Sequence, residues 1–343
     1  MIVRALAIIF YVSSVLVPLY GQDTSSFKVM FWNVENLFDC QSDTLKNDNE
    51  FLPSSLRNWH YGRYKKKLDD VSKAITAVGG WEPPALVGLC EVENDAVLQD
   101  LTKYSSLKEH GYRYVMTDSP DERGIDVALL YQRNRFKLLG HGAIPVDLGG
   151  KRLTRDILHV SGLIATMDTL DVFVVHFPSR SGGEKETEPH RMKAARILRN
   201  AVDSLFRIRS KAGIIIMGDF NDYPNNQSIA SALDAQPPGL PVNNKKLYHL
   251  LARKAGKPGY GSYKYQGKWG LLDHIIVSGA LLHPSEKFHT DEERTEVIHL
   301  PFLFVPDEKY GGKRPFRTYY GMKYEGGFSD HLPVCTDFLL INN

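Results

Sequence analysis

A chain of 343 residues can form one large α/β domain or two ordinary ones, and no linker-like stretch divides it. Hydrophobic residues at 43% and charged residues at 24% exclude wholesale disorder and allow a sizeable core. The formal net charge of +2 excludes a strongly basic or acidic chain, although a local basic face stays compatible with a polyanionic partner.

In chain order, Met1-Ile2-Val3-Arg4 precedes an apolar run over 5–19 and the polar start Gln22-Asp23. The run is short for a membrane span and ends at the small residue Gly21, so 1–21 reads as a cleaved signal peptide and 22–343 as a single domain. An uncleaved single-span anchor is the alternative. Cleavage implies an exported protein, periplasmic or secreted, with no stable membrane span and expected as a monomer.

Residues 27–32 predict a strand ending at Asn33, and 43–61 a polar loop. Leu68, Val71, Ile75 and Val78 fall at helical spacing after Tyr64, and Gly79-Gly80 stops that helix. A buried-type strand over 85–90 presents Glu91. A second helix is expected from Asp95 toward Lys108, then strands at 112–116 and 125–131 and a strand pair at 157–166 and 170–176. The longest helix is expected over 189–208. The apolar strand 213–217 delivers Asp219, and further strands are expected at 273–278 and 332–340. Strands that alternate with helices in places and follow one another elsewhere argue for mixed sheets. Helices outside two facing sheets leave the polar strand ends at one rim.

Three cysteines, Cys40, Cys90 and Cys335, exclude a disulfide-built scaffold and lack zinc-site spacing. A Cys90–Cys335 bridge and buried free thiols both remain open.

The polar islands at the strand ends carry what phosphate-ester hydrolysis needs: a cation on the phosphoryl oxygens, a group for the water and a group for the leaving oxygen. Glu91, in Leu89-Cys90-Glu91-Val92-Glu93-Asn94, is the candidate primary ligand of a hard cation, with Asn33 as a neutral oxygen beside it. An exposed acid after a strand and a turn asparagine are the plain alternatives. Asp219 and Asn221, in Gly218-Asp219-Phe220-Asn221-Asp222, alternate along an extended segment and suit a water-activating and phosphate-fixing pair. His331, in Ser329-Asp330-His331-Leu332, is the candidate acid or transition-state donor. Its orienting acid is expected at Asp273, where an unpaired charge opening an apolar strand is costly, and Asp330 is assigned to the metal side. His274 is expected to be packed. His176 is a second imidazole at a strand end, with Asp126 as its expected orienting acid and a satisfied rim histidine as the alternative. Arg123 and Arg180 are candidates for non-bridging phosphate oxygens, with plain surface charges as the equal alternative.

As an ordered set, these islands resemble the endonuclease/exonuclease/phosphatase superfamily, the deoxyribonuclease-like metal-dependent phosphoesterases, over about 27–340. The resemblance implies a four-layer α/β sandwich, two packed mixed β-sheets flanked by helices, with the site at one rim. It also implies dependence on Mg2+ or Mn2+, with Ca2+ as a further candidate. It makes Asn33 and Glu91 the metal-side pair, Asp219 and Asn221 the water and phosphate pair, and Asp273, Asp330 and His331 the C-terminal group. His176 stands where the pancreatic deoxyribonuclease and sphingomyelinase branches have histidine and abasic-site repair enzymes have tyrosine.

Residues 301–327 interleave Lys309, Lys313, Arg314, Arg317 and Lys323 with Tyr310, Phe316, Tyr319, Tyr320 and Tyr324. That composition suits a polyanion with stackable bases, and equally a loop that packs its own aromatics. The leading expectation is an exported nuclease acting on DNA or RNA. The alternative is a phosphatase or phosphodiesterase for inositol phosphate, sphingomyelin or another small or lipid-linked ester.

Overall fold

The computed structural model describes residues 24–150, 153–165 and 167–341; the signal peptide expected over 1–21 lies outside them. The chain runs β1 (Thr24–Leu37), α1 (Tyr61–Gly79), β2 (Leu86–Val92), α2 (Asp95–Tyr104), β3 (Tyr112–Met116), β4 (Asp126–Gln132), β5 (Lys137–Ile144), β6 (Ile157–Ile164), β7 (Met167–His176), α3 (Glu184–Ile208) and β8 (Gly213–Asp219). It continues through β9 (Ala235–Gln236), β10 (Leu247–His249), β11 (Tyr263–Tyr265), β12 (Lys268–Gly270), β13 (Asp273–Ser278), β14 (Phe288–His289) and β15 (Thr295–Val297). After β16 (Phe304–Pro306), β17 (Lys313–Pro315), β18 (Tyr319–Tyr320) and β19 (Lys323–Tyr324), it closes with β20 (Val334–Ile341).

One sheet is ordered β14-β20-β1-β2-β4-β3, with β15 also on β20, and the other β5-β6-β7-β8-β13-β10-β9. Both are mixed: β1 and β2 pair parallel, as do β7 and β8, while β20 and β13 join them antiparallel. Period-2 alternation divides β8 between two layers. Ile215 and Met217 enter the core between the sheets, with Met30, Leu89 and Val127. Ile214 and Ile216 pack on the other face with Leu198 and Val202 of α3. On the outside of the first sheet α1 buries Leu68, Val71 and Ile75. The result is the expected four-layer α/β sandwich. The sheets approach closely at Gly88, where a Cβ would lie 2.8 Å from Met217 Sδ.

Element boundaries moved where local chemistry overrode periodicity. Strand β1 extends to Leu37 because an irregularity between Asn33 and Leu37, with Glu35 and Asn36 at φ 51° and 54°, carries the pairing past the expected stop. Helix α3 begins at Glu184, before Pro189, with Glu184 and Glu186 in the first turn favoured by the helix dipole. Helix α2 ends at Tyr104, and the Ser105 side chain caps the separate short turn that follows. Strand β5 was not expected: it is an edge strand with most side chains exposed, so it lacks a buried alternation to read. All three cysteines are free; Cys90 and Cys335 flank β1 on opposite sides, across from Asn33 and Met30, so the open disulfide possibility is not realised.

Candidate active site

The strand order brings the ends of β1, β2, β7 and β8 to one rim. In β8 the register sets Asp219 beside His176 of parallel β7 and beside Asp273 of antiparallel β13. Neighbouring strand ends therefore convert distant sequence positions into one cluster. Asn33 Nδ2 lies 3.1 Å from Asp219 Oδ2 and 3.4 Å from Glu91 Oε1, donating toward both carboxylates. The Asn36 amide donates to Glu91 Oε2 at 2.9 Å. Glu91 and Asn221 both sit at positive φ, 61° and 50°, a costly conformation for such side chains that here turns them into the cavity. The Asn221 amide group donates to Phe177 O at 3.1 Å, and its backbone N–H to Asp219 Oδ1 at 2.8 Å.

His331 Nδ1 is 2.7 Å from Asp273 Oδ2, the expected orienting pair. Its backbone is fixed as well: Trp32 Nε1 donates to His331 O, and Ser329 Oγ bridges from the His331 amide to Asn33 O. The Tyr263 ring covers the imidazole at a centroid distance of 4.7 Å. Two imidazoles converge on one oxygen. His176 Nε2 is 3.7 Å and His331 Nε2 3.9 Å from Asp219 Oδ2, beyond direct hydrogen-bond distance.

The two histidines carry opposite charge tendencies. Burial opposes the charged form of His331, but the Asp273 charge and hydrogen bond, then Asp219 and Asp330, hold its pKa well above the ordinary value. Burial drives His176 well below it, helped by the positive charges of Arg155, Arg123 and His331. Burial raises Asp219 to about 7, with His331 opposing and Asp273 reinforcing. One imidazolium, one neutral imidazole and one basic carboxylate therefore share the rim.

Asn33, Glu91, His176, Asp219, Asn221, Asp330 and His331 line a single cavity of about 960 Å³, with Asp273 behind His331. Arg123 and Arg180 also line it, but neither is a free clamp. Arg180 is spent on Asn221 O, Asp222, Asn226 and Glu184, and so positions the Asn221 turn. Arg123 donates to Asn36 Oδ1, remains half-exposed and approaches Glu91 at 3.9 Å. Asp330 is paired with Arg317 at 2.8 Å.

The expectation that Asp126 orients His176 is not met. The Asp126 carboxylate accepts from Thr117 Oγ1 and from the Ser119 amide and hydroxyl, while His176 Nδ1 is buried without a partner. Asp126 opens β4, and its side chain closes the turn after β3 instead of crossing to β7. His274 is packed as expected, bonding His249 and Asp222 O.

Two residues escaped sequence reasoning. Arg155 lines the cavity and donates to Asp121 and Phe177 O, and Tyr263 covers His331, while Arg317, read only as part of the basic and aromatic stretch 301–327, holds Asp330. Only Tyr263 carried a local signal, the alternation Tyr263-Lys264-Tyr265 before Gln266-Gly267 that marks the β11–β12 hairpin.

Among the described residues the tightest metal-type grouping is Asp219, Asp273 and His331, with ligand atoms within 4.8 Å of one another. Its hydrogen bonds argue for a proton-handling set: Nδ1 is occupied by Asp273, and Asp219 already accepts from Asn33 and Asn221. The Glu91 carboxylate, facing the same cavity, fits a divalent cation better; Asn33 is not the neutral oxygen expected beside it, because its Nδ2 faces Glu91 and its Oδ1 accepts from the Glu35 amide at 2.9 Å, so it orients the carboxylate instead.

The chain belongs to the endonuclease/exonuclease/phosphatase family, whose profile matches residues 28–339. Members of this family hydrolyse phosphoesters. Solved structures share the fold at low identity. A Bacteroides thetaiotaomicron protein of the same family is 18% identical, with a TM-score of 0.60 over 93% of this chain and 99% of that one. A Bacteroides thetaiotaomicron mannosyl-6-phosphatase is 18% identical, with a TM-score of 0.57 over 91% and 99%. D. rerio TDP2 complexed with single-strand DNA product is 18% identical, with a TM-score of 0.54 over 92% and 99%. No curated protein matches the sequence.

Proposed function

We propose that this chain is a divalent-metal-dependent phosphoesterase acting on a compact phosphate ester, a monoester or short diester. The carrying observation for the chemistry is the convergence of His176 and His331 on Asp219 Oδ2. A tetrahedral phosphoryl group between them meets a donor at His331 and a neutral imidazole at His176, while Asp219 accepts the proton of the attacking water. Asn33 and Asn221 orient Asp219 through its two oxygens. Glu91, steadied by Asn33 Nδ2, would hold Mg2+ or Mn2+, with Asp330 nearby, and the ion would supply charge neutralisation at the phosphoryl oxygens.

The compact substrate is favoured by where the cations of residues 301–327 go. Arg314 pairs with Glu325 and Arg317 with Asp330; Tyr319 is buried, Phe316 and Tyr324 pack on the core, and no residue of 301–327 lines the cavity. The nucleic-acid reading keeps one specific support, the exposed Tyr265 and Lys268 on the cavity-lining β11–β12 hairpin. A panel of sugar phosphates, a chromogenic phosphodiester, oligonucleotides and long single-stranded DNA, each with Mg2+ and with chelator, tests both. Efficient turnover of long DNA above every small ester replaces the compact-substrate reading, and chelator-insensitive turnover removes the metal. Export rests on the sequence of residues 1–21; N-terminal sequencing of protein recovered outside the cytoplasm tests it.

A further inference from the structure

The irregular end of β1 is joined to the approach to His331 by buried charges. Glu35 Oε2 accepts from the Thr318 amide at 2.7 Å, and Oε1 accepts from the Tyr319 amide and from Arg317 Nε, both at 3.4 Å. Arg317 then donates to Asp330 Oδ2 at 2.8 Å, and Asp330 lines the catalytic cavity. From the other side Lys67 of α1, only 2% exposed, donates to Thr318 Oγ1 and to Phe328 O. Backbone bonds carry the grip onward. The Gly327 amide donates to Arg317 O at 3.1 Å, and the Phe328 and Ser329 amides both donate to Phe316 O, so residues 316–318 fix the stretch that leads into Asp330 and His331. Lys67, Glu35, Arg317 and Asp330 therefore alternate in sign from α1 to the cavity. A buried ion pair adds little stability over well-packed apolar side chains, so what such a series supplies is a fixed geometry.

We propose that Glu35 is a positioning residue for the reaction: with Lys67 behind it, Glu35 holds Arg317, and Arg317 holds Asp330 in the cavity beside His331. Its effect on turnover rests on the phosphoesterase reading above, whereas its effect on Asp330 rests on the contacts alone. Neither Glu35 nor Arg317 lines the cavity, so their influence passes through Asp330. Among the described residues the Asp330 carboxylate takes its hydrogen bond from Arg317 alone, so a loosened Arg317 frees it to swing. The Glu35 amide also donates to Asn33 Oδ1 at 2.9 Å. One short segment thus steadies Asn33 on the Asp219 side and Arg317 on the Asp330 side.

Glu35→Gln keeps an oxygen for the Thr318 amide and removes the charge that holds Arg317. It is expected to melt within a few degrees of the parent. On a chromogenic phosphodiester with Mg2+, or on a sugar phosphate where the parent prefers it, kcat is expected to fall by about tenfold with KM little changed. In an Arg317→Gln background the same substitution is expected to change kcat by less than about twofold, because the link is already cut. A general lesion of the fold would instead lower kcat by the same factor in both backgrounds. Crystal structures give a readout without turnover: the Arg317–Asp330 contact is kept in the parent and broken in Glu35→Gln, with the carboxylate turned out of the cavity. Should Glu35→Gln fail to fold, Glu35→Asp, which keeps the charge but shortens its reach, takes its place in both measurements. A parent inactive on every ester overturns the phosphoesterase reading and leaves the role of Glu35 to the two crystal structures. Equal losses in both backgrounds, an undiminished kcat, or an Asp330 unmoved in Glu35→Gln mean that Glu35 only supports the loop; each overturns the assignment.

Discussion

Asp273 and His331 join the two sheets: Asp273 opens β13 in one, His331 lies three residues before the start of β20 in the other, and Oδ2 to Nδ1 is 2.7 Å. Asp273 is wholly buried and its Oδ1 has no partner, so its charge acts mainly on the imidazole. The pair fixes the tautomer as well as the charge, since a donor at Nδ1 leaves Nε2 for the substrate.

The pH profile of kcat/KM should be bell-shaped, because Asp219 must be deprotonated and His331 protonated. The acid limb is expected near the Asp219 value of about 7, and the alkaline limb above the ordinary histidine range. Both limbs belong to the interacting Asp219, Asp273 and His331 group. Asp273→Asn removes a charge that raises both pKa values, so the whole bell moves to lower pH. At pH 8 the loss is expected to be about a hundredfold or more. An unmoved bell with a lower plateau would show that Asp273 acts by packing alone.

Asn33 sits between the base and the metal side, so its removal should have two signatures. Asn33→Ala is expected to lower kcat and also to raise the Mn2+ concentration for half-maximal activity by about tenfold or more. Glu91→Gln should weaken Mn2+ binding more strongly, measured by calorimetric titration independently of turnover. If Asn33→Ala changes kcat while Mn2+ affinity stays at the parent value, Asn33 serves Asp219 only.

How much of this was legible depended on whether a residue's role was local. Asp219, Glu91 and Asn33 each end an apolar run, so strand patterning exposed them, and an acid before the strand 273–278 had few reasons to be there except a partner. Asp126 looked equivalent, yet Thr117 and Ser119, seven to nine positions upstream, claim it through a turn that periodicity does not describe. The cations failed for the same reason. Arg180 read as a phosphate clamp or surface charge and Arg317 as one cation of a basic, aromatic stretch, but the carboxylates that claim them, Asp222 and Asp330, are identified only by the folded loops. The 301–327 aromatics are ambiguous by composition, because burying a ring and displaying one use the same letters.

Gly162 tests the packing of the second sheet apart from the chemistry. A Cβ there would lie 2.2 Å from Phe136 Cζ, and Phe136 is fully buried, so Gly162→Ala must displace the ring or the strand. Overpacking of this kind costs about 1–3 kcal/mol, expected as a fall of a few degrees in Tm. Gly162 pairs with Leu170, at the opposite end of β7 from His176, about 20 Å along the strand at roughly 3.3 Å per residue. The folded variant should therefore keep the parent kcat and metal requirement at 25 °C while denaturing at lower urea. An unchanged urea midpoint would mean that Phe136 has a second rotamer open to it at no cost, and the close approach would then carry no constraint on this strand.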